Sequence, residues 1–222
     1  MDNKEAKAGR LRGAERTIVS DNAYNAAIGL TVLWGIAINI LIAFFLSPYI
    51  SKLNRAVVII GYLALSFACR YVVAKSNSYV ISMLGFSGLA AAMGLLLTYV
   101  IRFYSSSSIY PAFLTTGIIV VVMIIASTIF PAFFRSLGRV LFIALMGSIV
   151  VELIGGLIFH LRLGILDYVM VVIFSGYIGY NWSKAQAYPK TLDNAIDSAA
   201  SIYVDIINIF LRVLRIMERN KD

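Results

Sequence analysis

The sequence predicts an all-α polytopic membrane protein, a compact bundle of seven helical segments. Two observations set the class. Of the 222 residues, 60% are apolar and only 14% are charged, where a soluble domain carries about a quarter; the mean hydropathy is +0.87. The apolar residues also gather into runs of roughly twenty, long enough to cross a hydrocarbon core about 30 Å thick.

Residues 1–25 read as a polar arm, with Lys4, Lys7, Arg10, Arg12 and Arg16 interleaved with Asp2, Glu5 and Glu15. The first apolar run, 26–46, is longer than the core of a cleavable signal peptide, and no small-residue cleavage site follows it, so it reads as a retained helix. Further spans are expected over 56–74, 80–103, 109–129, 138–159 and 165–182. Short loops between them imply antiparallel neighbours. Ser105 to Ser108 read as a flexible polar turn, and Pro111 and Pro131 fall near helix boundaries, where proline is tolerated. A seventh, more polar segment covers 195–217, leaving a tail at 218–222 and no room for a separate soluble domain.

The formal charge of +8 does not point to nucleic acid, because the basic residues lie in short loops and tails, where membrane topology places them. With the N-terminus inside, the arm's five basic residues and Lys75, Arg135, Arg139, Lys184 and Lys190 are cytoplasmic, against Lys52, Arg55, Arg102 and Arg162 outside. Seven full crossings put Arg219 and Lys221 outside, against this rule; a last segment that enters and returns keeps them inside. The sequence is compatible with both. The single Cys69 excludes an internal disulfide, cannot alone make a zinc site and reads as a small packing residue.

Ionisable groups inside spans are costly and usually face the bundle interior. Asp167 opens the sixth span, where a carboxylate suits the helix dipole close to water. Glu152 lies deeper, with Ser148, Gly155 and Gly156 on its side of the helix; it reads either as a cavity-lining acid or as a structural one. In the last segment Ser201, Asp205, Asn208 and Arg212 draw one narrow stripe, opposite Ile202, Ile206, Ile209, Phe210 and Val213. The stripe favours a helix enclosed by the others and facing a polar passage over one lying flat in the interface. An enclosed Asp205 needs a partner. Arg70 in the second span is a candidate, with snorkelling to the interface as its alternative. Asn181, close to Tyr177, Tyr180 and Lys184 on the sixth span, is positioned to hydrogen-bond Asp205 if the last two helices pack side by side.

The run SIYVDIINIFLRVLRI (201–216) resembles the C-terminal signature of the Bax inhibitor family. IFSGYIGYN (173–181) resembles that family's sixth helix, and GFSGLAAAMGLLL with SIYPAFLTTG its third and fourth. The resemblance covers most of residues 55 to 217, and its specific part lies in the last 50 residues or so. It implies a bundle whose last helix is surrounded by the other six, and a pH-responsive leak for cations, chiefly calcium. Bacterial members that resemble this chain hold a proton-sensitive aspartate pair on the sixth and seventh helices, and an arginine of the second helix can take one of the two. By motif these positions are Asp205, Arg70 and, where the second aspartate should stand, Asn181. With that departure no like charge raises Asp205, and the pH response is expected to be weakened or moved to lower pH.

Three rival classes compete with this reading. Gly85-Phe86-Ser87-Gly88 matches the GxSG of rhomboid intramembrane serine proteases, but the chemistry needs a histidine to take the serine proton. The one histidine, His160, lies near the end of the fifth span, and no His-Asn pair precedes the serine. The small residues read better as a packing face. A proton-coupled transporter usually shows internal repeats, and none is visible. A non-conducting regulatory or scaffold protein stays open, with Asp205 and Arg70 as a structural lock. The expected activity is passive, gated passage of calcium or a similar cation, with no catalysis, cofactor or nucleic-acid partner. Asp205, Arg70 and Asn181 are expected at the pathway and its gate, and Glu152, Tyr180, Asn208 and Ser201 along it. Calcium is expected to bind Asp205 only weakly, since it takes about six to eight oxygen ligands. A bacterial plasma membrane with the N-terminus cytoplasmic is the expected location, with the endoplasmic reticulum as alternative.

Overall fold

The computed structural model describes residues 18–75, 78–157 and 164–219; most of the N-terminal arm, His160, Arg162 and Lys221 lie outside them. Among the described residues the regular structure is eight helices and no strand. These are α1 (Asp21–Ile50), α2 (Arg55–Lys75), α3 (Tyr79–Ile101), α4 (Ser106–Ile129), α5 (Pro131–Ser136), α6 (Gly138–Leu157), α7 (Ile165–Ala185) and α8 (Leu192–Arg219). Five of them, α1, α2, α3, α4 and α6, are long and apolar enough to cross a membrane. The more polar α7 and α8 are not among those five. Large apolar side chains stand outward, with Phe44 77%, Phe67 73% and Val172 72% exposed. Such extensive apolar exposure is unstable in water and marks a lipid-facing surface.

The chain forms two compact units. The first runs to Phe103 and adds Ala185–Tyr203; the second takes Tyr104–Lys184 and the chain from Val204 onward. Each is held by its own packing.

In the first unit, α3 packs against both α1 and α2, because its small residues let backbones come close. A Cβ added at Gly94 would meet Asn39 Oδ1 at 2.9 Å, and one at Gly88 would meet Cys69 Sγ at 2.6 Å. A side chain at either place would force its neighbour to shift. Ser87 Oγ accepts from Trp34 Nε1 (3.1 Å) and donates to the Met83 carbonyl (2.8 Å). Its hydroxyl thus has structural partners on both sides, in keeping with a packing face. α1 starts on Ser20, whose hydroxyl accepts from the Ala23 N–H at 3.3 Å, a typical helix cap. Fully buried Tyr24 donates to the Ala185 carbonyl and lies 3.4 Å from Ser198 Oγ. Asn39 and Tyr203 bond each other at 2.7 Å, and the Tyr203 ring sits edge-on to Phe86. Ser82 donates to Asp193 at 2.6 Å. Positions 193–200 of α8 are buried one after another, so this stretch is covered all round.

In the second unit the expected turn at Ser105 to Ser108 is ordered helix. Ser105 precedes α4, and Ser106–Ser108 form its first turn. The Glu218 carboxylate accepts from the Ser105 hydroxyl (2.8 Å) and backbone N–H (3.3 Å), supplying the acceptor that a helix N-terminus needs. α7 joins the end of α4 through Trp182 Nε1 to Thr128 (2.9 Å) and Ser183 to the Ser127 carbonyl (3.2 Å). Gly138 makes room for the Tyr180 ring, and Gly176 for Leu141. Pro131 opens α5, while Pro111 lies inside α4, near its start.

α8 is one unbroken helix of 28 residues, about 42 Å long. The enter-and-return alternative for the last segment is thereby overturned, because an unbroken helix cannot double back. The polar residues that made this segment look weak as a span are gathered on one side, so the backbone never has to break to accommodate them.

Candidate functional site

The second unit carries the latter half of α8's polar stripe: Asp205, Asn208, Arg212, Arg215 and Arg219. The spacing of three and four residues keeps them on one side. Asp205 is only 6% exposed, and its Oδ2 accepts from Asn181 Nδ2 at 2.7 Å. α7 therefore meets α8 side by side at this level, the condition set by the sequence for that bond. A carboxylamide donates here without needing a proton from solution, whereas an aspartate at the same place could donate only when protonated.

The other stripe residues behave differently. Ser201 Oγ donates to the Asp197 carbonyl at 3.2 Å, and Asn208 Nδ2 to the Val204 carbonyl at 2.8 Å. Both are bonds to their own helix four residues back, a local way to hide a polar group. Tyr180 is half-buried, its ring edge-on to Tyr177 with centroids 6.3 Å apart and Lys184 Nζ 5.4 Å from its centroid. Arg70 is an exposed residue of α2 in the first unit.

Below Asp205 on the stripe lies a group of charges that the sequence reading did not assemble. Arg212 forks onto Glu152, Nη1 to Oε1 at 2.9 Å and Nη2 to Oε2 at 2.8 Å, and Nη1 also reaches Asp167 Oδ1 at 3.1 Å. Arg215 touches the same two carboxylates at 3.4 and 3.0 Å. Arg219 donates to Asp167 Oδ2 at 3.2 Å and to the Gly164 carbonyl at 3.0 Å. Asp167 was expected close to water with only the helix dipole for company; it is instead 3% exposed and shared by three arginines. A buried carboxylate is tolerable only with such compensation. The spacing of Arg212, Arg215 and Arg219 was the available signal, since it puts all three on one face.

Among the described residues no three His, Cys, Asp or Glu side chains converge as a metal site. A cation at Asp205 would take its remaining ligands from water and carbonyl oxygens.

The family described as "Inhibitor of apoptosis-promoting Bax1" matches residues 18–222. An uncharacterized membrane protein of Streptococcus pyogenes serotype M3 is 31% identical over 141 residues, 59% of this chain and 60% of its own length. The inner membrane protein YbhL of Escherichia coli K12 is 28% identical over 171 residues, 71% of each chain. The uncharacterized protein YrjE of Lactococcus lactis is 30% identical over 142 residues, 59% of each chain. The match thus spans about three fifths of the streptococcal relative. No solved structure matches this chain. With the family matched across nearly the whole chain and five helices fit to cross a bilayer, this is a multi-pass membrane protein of the Bax inhibitor family.

Proposed function

We propose that this protein is a pH-sensitive leak for calcium or similar cations in a bacterial plasma membrane. The observation that carries this reading is Asp205, a 6% exposed carboxylate on a polar stripe inside an otherwise apolar chain, held by a neutral amide at 2.7 Å. Ionisable groups within membrane-spanning segments usually face the bundle interior and mark ion or proton pathways. Asp205 is the acceptor for cation or proton, Asn181 positions it, and Arg70 is the competing cation that closes the site when it reaches Asp205. Seven crossings, with α7 and α8 included and the last helix enclosed, supply the enclosure. A site with one carboxylate holds calcium weakly, which suits conduction, since the ion must also leave. Glu152, Tyr180, Ser201 and Asn208 stand along the path as minor contributors.

The test is calcium entry into dye-loaded liposomes holding wild type or Asp205→Asn, from acid to mildly alkaline pH. Wild type should leak with a pH-dependent rate, and the substitution should lower the rate or abolish its pH dependence at unchanged folded yield. Equal fluxes from the two proteins would refute the role of Asp205. The arginine cluster favours a second reading, a non-conducting regulatory protein stabilised by internal ion pairs. Absence of flux from well-folded wild type at every pH would select it.

A further inference from the structure

The second unit contains more charge than its hydrogen-bonded Asp205 requires. Seven residues beyond Asp205, about 10.5 Å along α8, the stripe turns from acidic to basic. Three guanidinium groups, Arg212, Arg215 and Arg219, meet two carboxylates, Glu152 and Asp167. Among the described residues of this cluster one positive charge is in surplus, on the line a cation would follow from Asp205 along the stripe. The two carboxylates are unequal. The Asp167 side chain is 4% exposed and holds all three arginines, whereas that of Glu152 is 37% exposed and holds Arg212 by the paired bonds and Arg215 at 3.4 Å. Glu152 is thus the less enclosed of the two carboxylates and the one that fixes the orientation of Arg212.

We propose that the Glu152–Asp167–Arg212–Arg215–Arg219 cluster is a second closure of the leak, separate from Asp205, and that protonation of Glu152 opens it. This inference rests on the leak reading. A proton on Glu152 removes one of the two negative charges and one acceptor oxygen of the Arg212 fork. Three guanidiniums then face one carboxylate, the surplus rises from one positive charge to two, and their mutual repulsion drives Arg212 off the stripe. Among the described residues, the charged groups facing Glu152 are Arg212 and Arg215 from α8; Asp167 from α7 faces it through those two arginines, and Arg219 adds its charge through Asp167. The closure also supplies a titrating carboxylate to a chain whose Asn181 cannot titrate.

The test is calcium flux into liposomes against pH for wild type, Glu152→Gln, Glu152→Asp and, as a control for the lone imidazole, His160→Gln. Glu152→Gln should leak at neutral pH at the rate wild type reaches only in acid, about tenfold above wild type at neutral pH, as removal of a charge-assisted pair shifts a two-state balance. Its pH profile should lose the acid step that belongs to this closure and keep only what Asp205 contributes. Glu152→Asp keeps the charge but shortens the reach to Arg212, so it should leak more at neutral pH and retain the acid step; it also serves if the glutamine variant folds poorly. A wild-type profile in Glu152→Gln, or an acid step abolished by His160→Gln instead, overturns the proposal while leaving the leak standing. Absence of any leak from folded wild type overturns both.

Discussion

At the level of single residues, Asn181 is the most informative position. Its amide donates to Asp205 at 2.7 Å, and an amide donor, unlike a carboxyl, does not itself titrate. An aspartate at 181 would put two carboxylates in hydrogen-bond contact, where both cannot easily ionise and one is driven to keep its proton. Asn181→Asp is therefore expected to give a steeper flux response, displaced toward neutral pH, in the liposome assay; a profile matching wild type would show that position 181 does not set it. The pairing of Asn181 with Asp205 was legible in the sequence, because the two residues sit on polar faces of consecutive helices. The environment of Asp167 was not. Its three arginines lie 45 to 52 residues away along the chain, and local context offers only the helix dipole. The sequence leaves Glu152 open between lining acid and structural acid, and its partner Arg212 lies 60 residues distant, beyond the reach of local context.

At the level of elements, α3 shows how a motif divides between chemistry and packing. The Gly85-Phe86-Ser87-Gly88 stretch has its glycines against Val73 and Cys69 and its serine hydroxyl between Trp34 and Met83. Gly88→Ala forces the new Cβ toward Cys69 Sγ, 2.6 Å away. Overpacking of this kind costs about 1–3 kcal/mol. The loss should appear in reversible unfolding in mild detergent and should be largely recovered in Gly88→Ala/Cys69→Ala, since removal of the sulfur vacates the contact. Additive losses in the double variant would mean that the two positions do not touch. The last helix makes the complementary point. Its apolar run alone suggested a weak span at 195–217, whereas α8 runs Leu192–Arg219 and carries Asp193 and Asp197 as buried residues in its first turns. Hydropathy averaging counts these acids as breaks; burial with Ser82 as a hydrogen-bond donor to Asp193 lets the helix continue through them.

At the level of the whole molecule, orientation is a prediction from charge and crossing number. The continuous α8 removes the return that would have kept Arg219 and Lys221 inside. Reporters fused to the two termini are therefore expected on opposite sides of the membrane, the N-terminal one in the cytoplasm with the larger basic count. Both reporters on one side would show an even number of crossings and exclude α7 or α8 as a span.

The sequence by itself determined the membrane class, the helical fold and the family, because these depend on runs of apolar residues and short polar signatures that need no partner to be recognised. It also put Asp205 and Asn181 on polar faces of consecutive helices, able to bond if those helices pack side by side; the structure supplies that packing. Only the tertiary structure decided which charges meet. Glu152, Asp167, Arg212, Arg215 and Arg219 come from three helices, and ion pairing depends on distances of about 3 to 4 Å that hydropathy and periodicity do not encode. Continuity of the last helix was likewise decided by packing: polar groups interrupt a span only when nothing covers them, and here hydrogen bonds and ion pairs do.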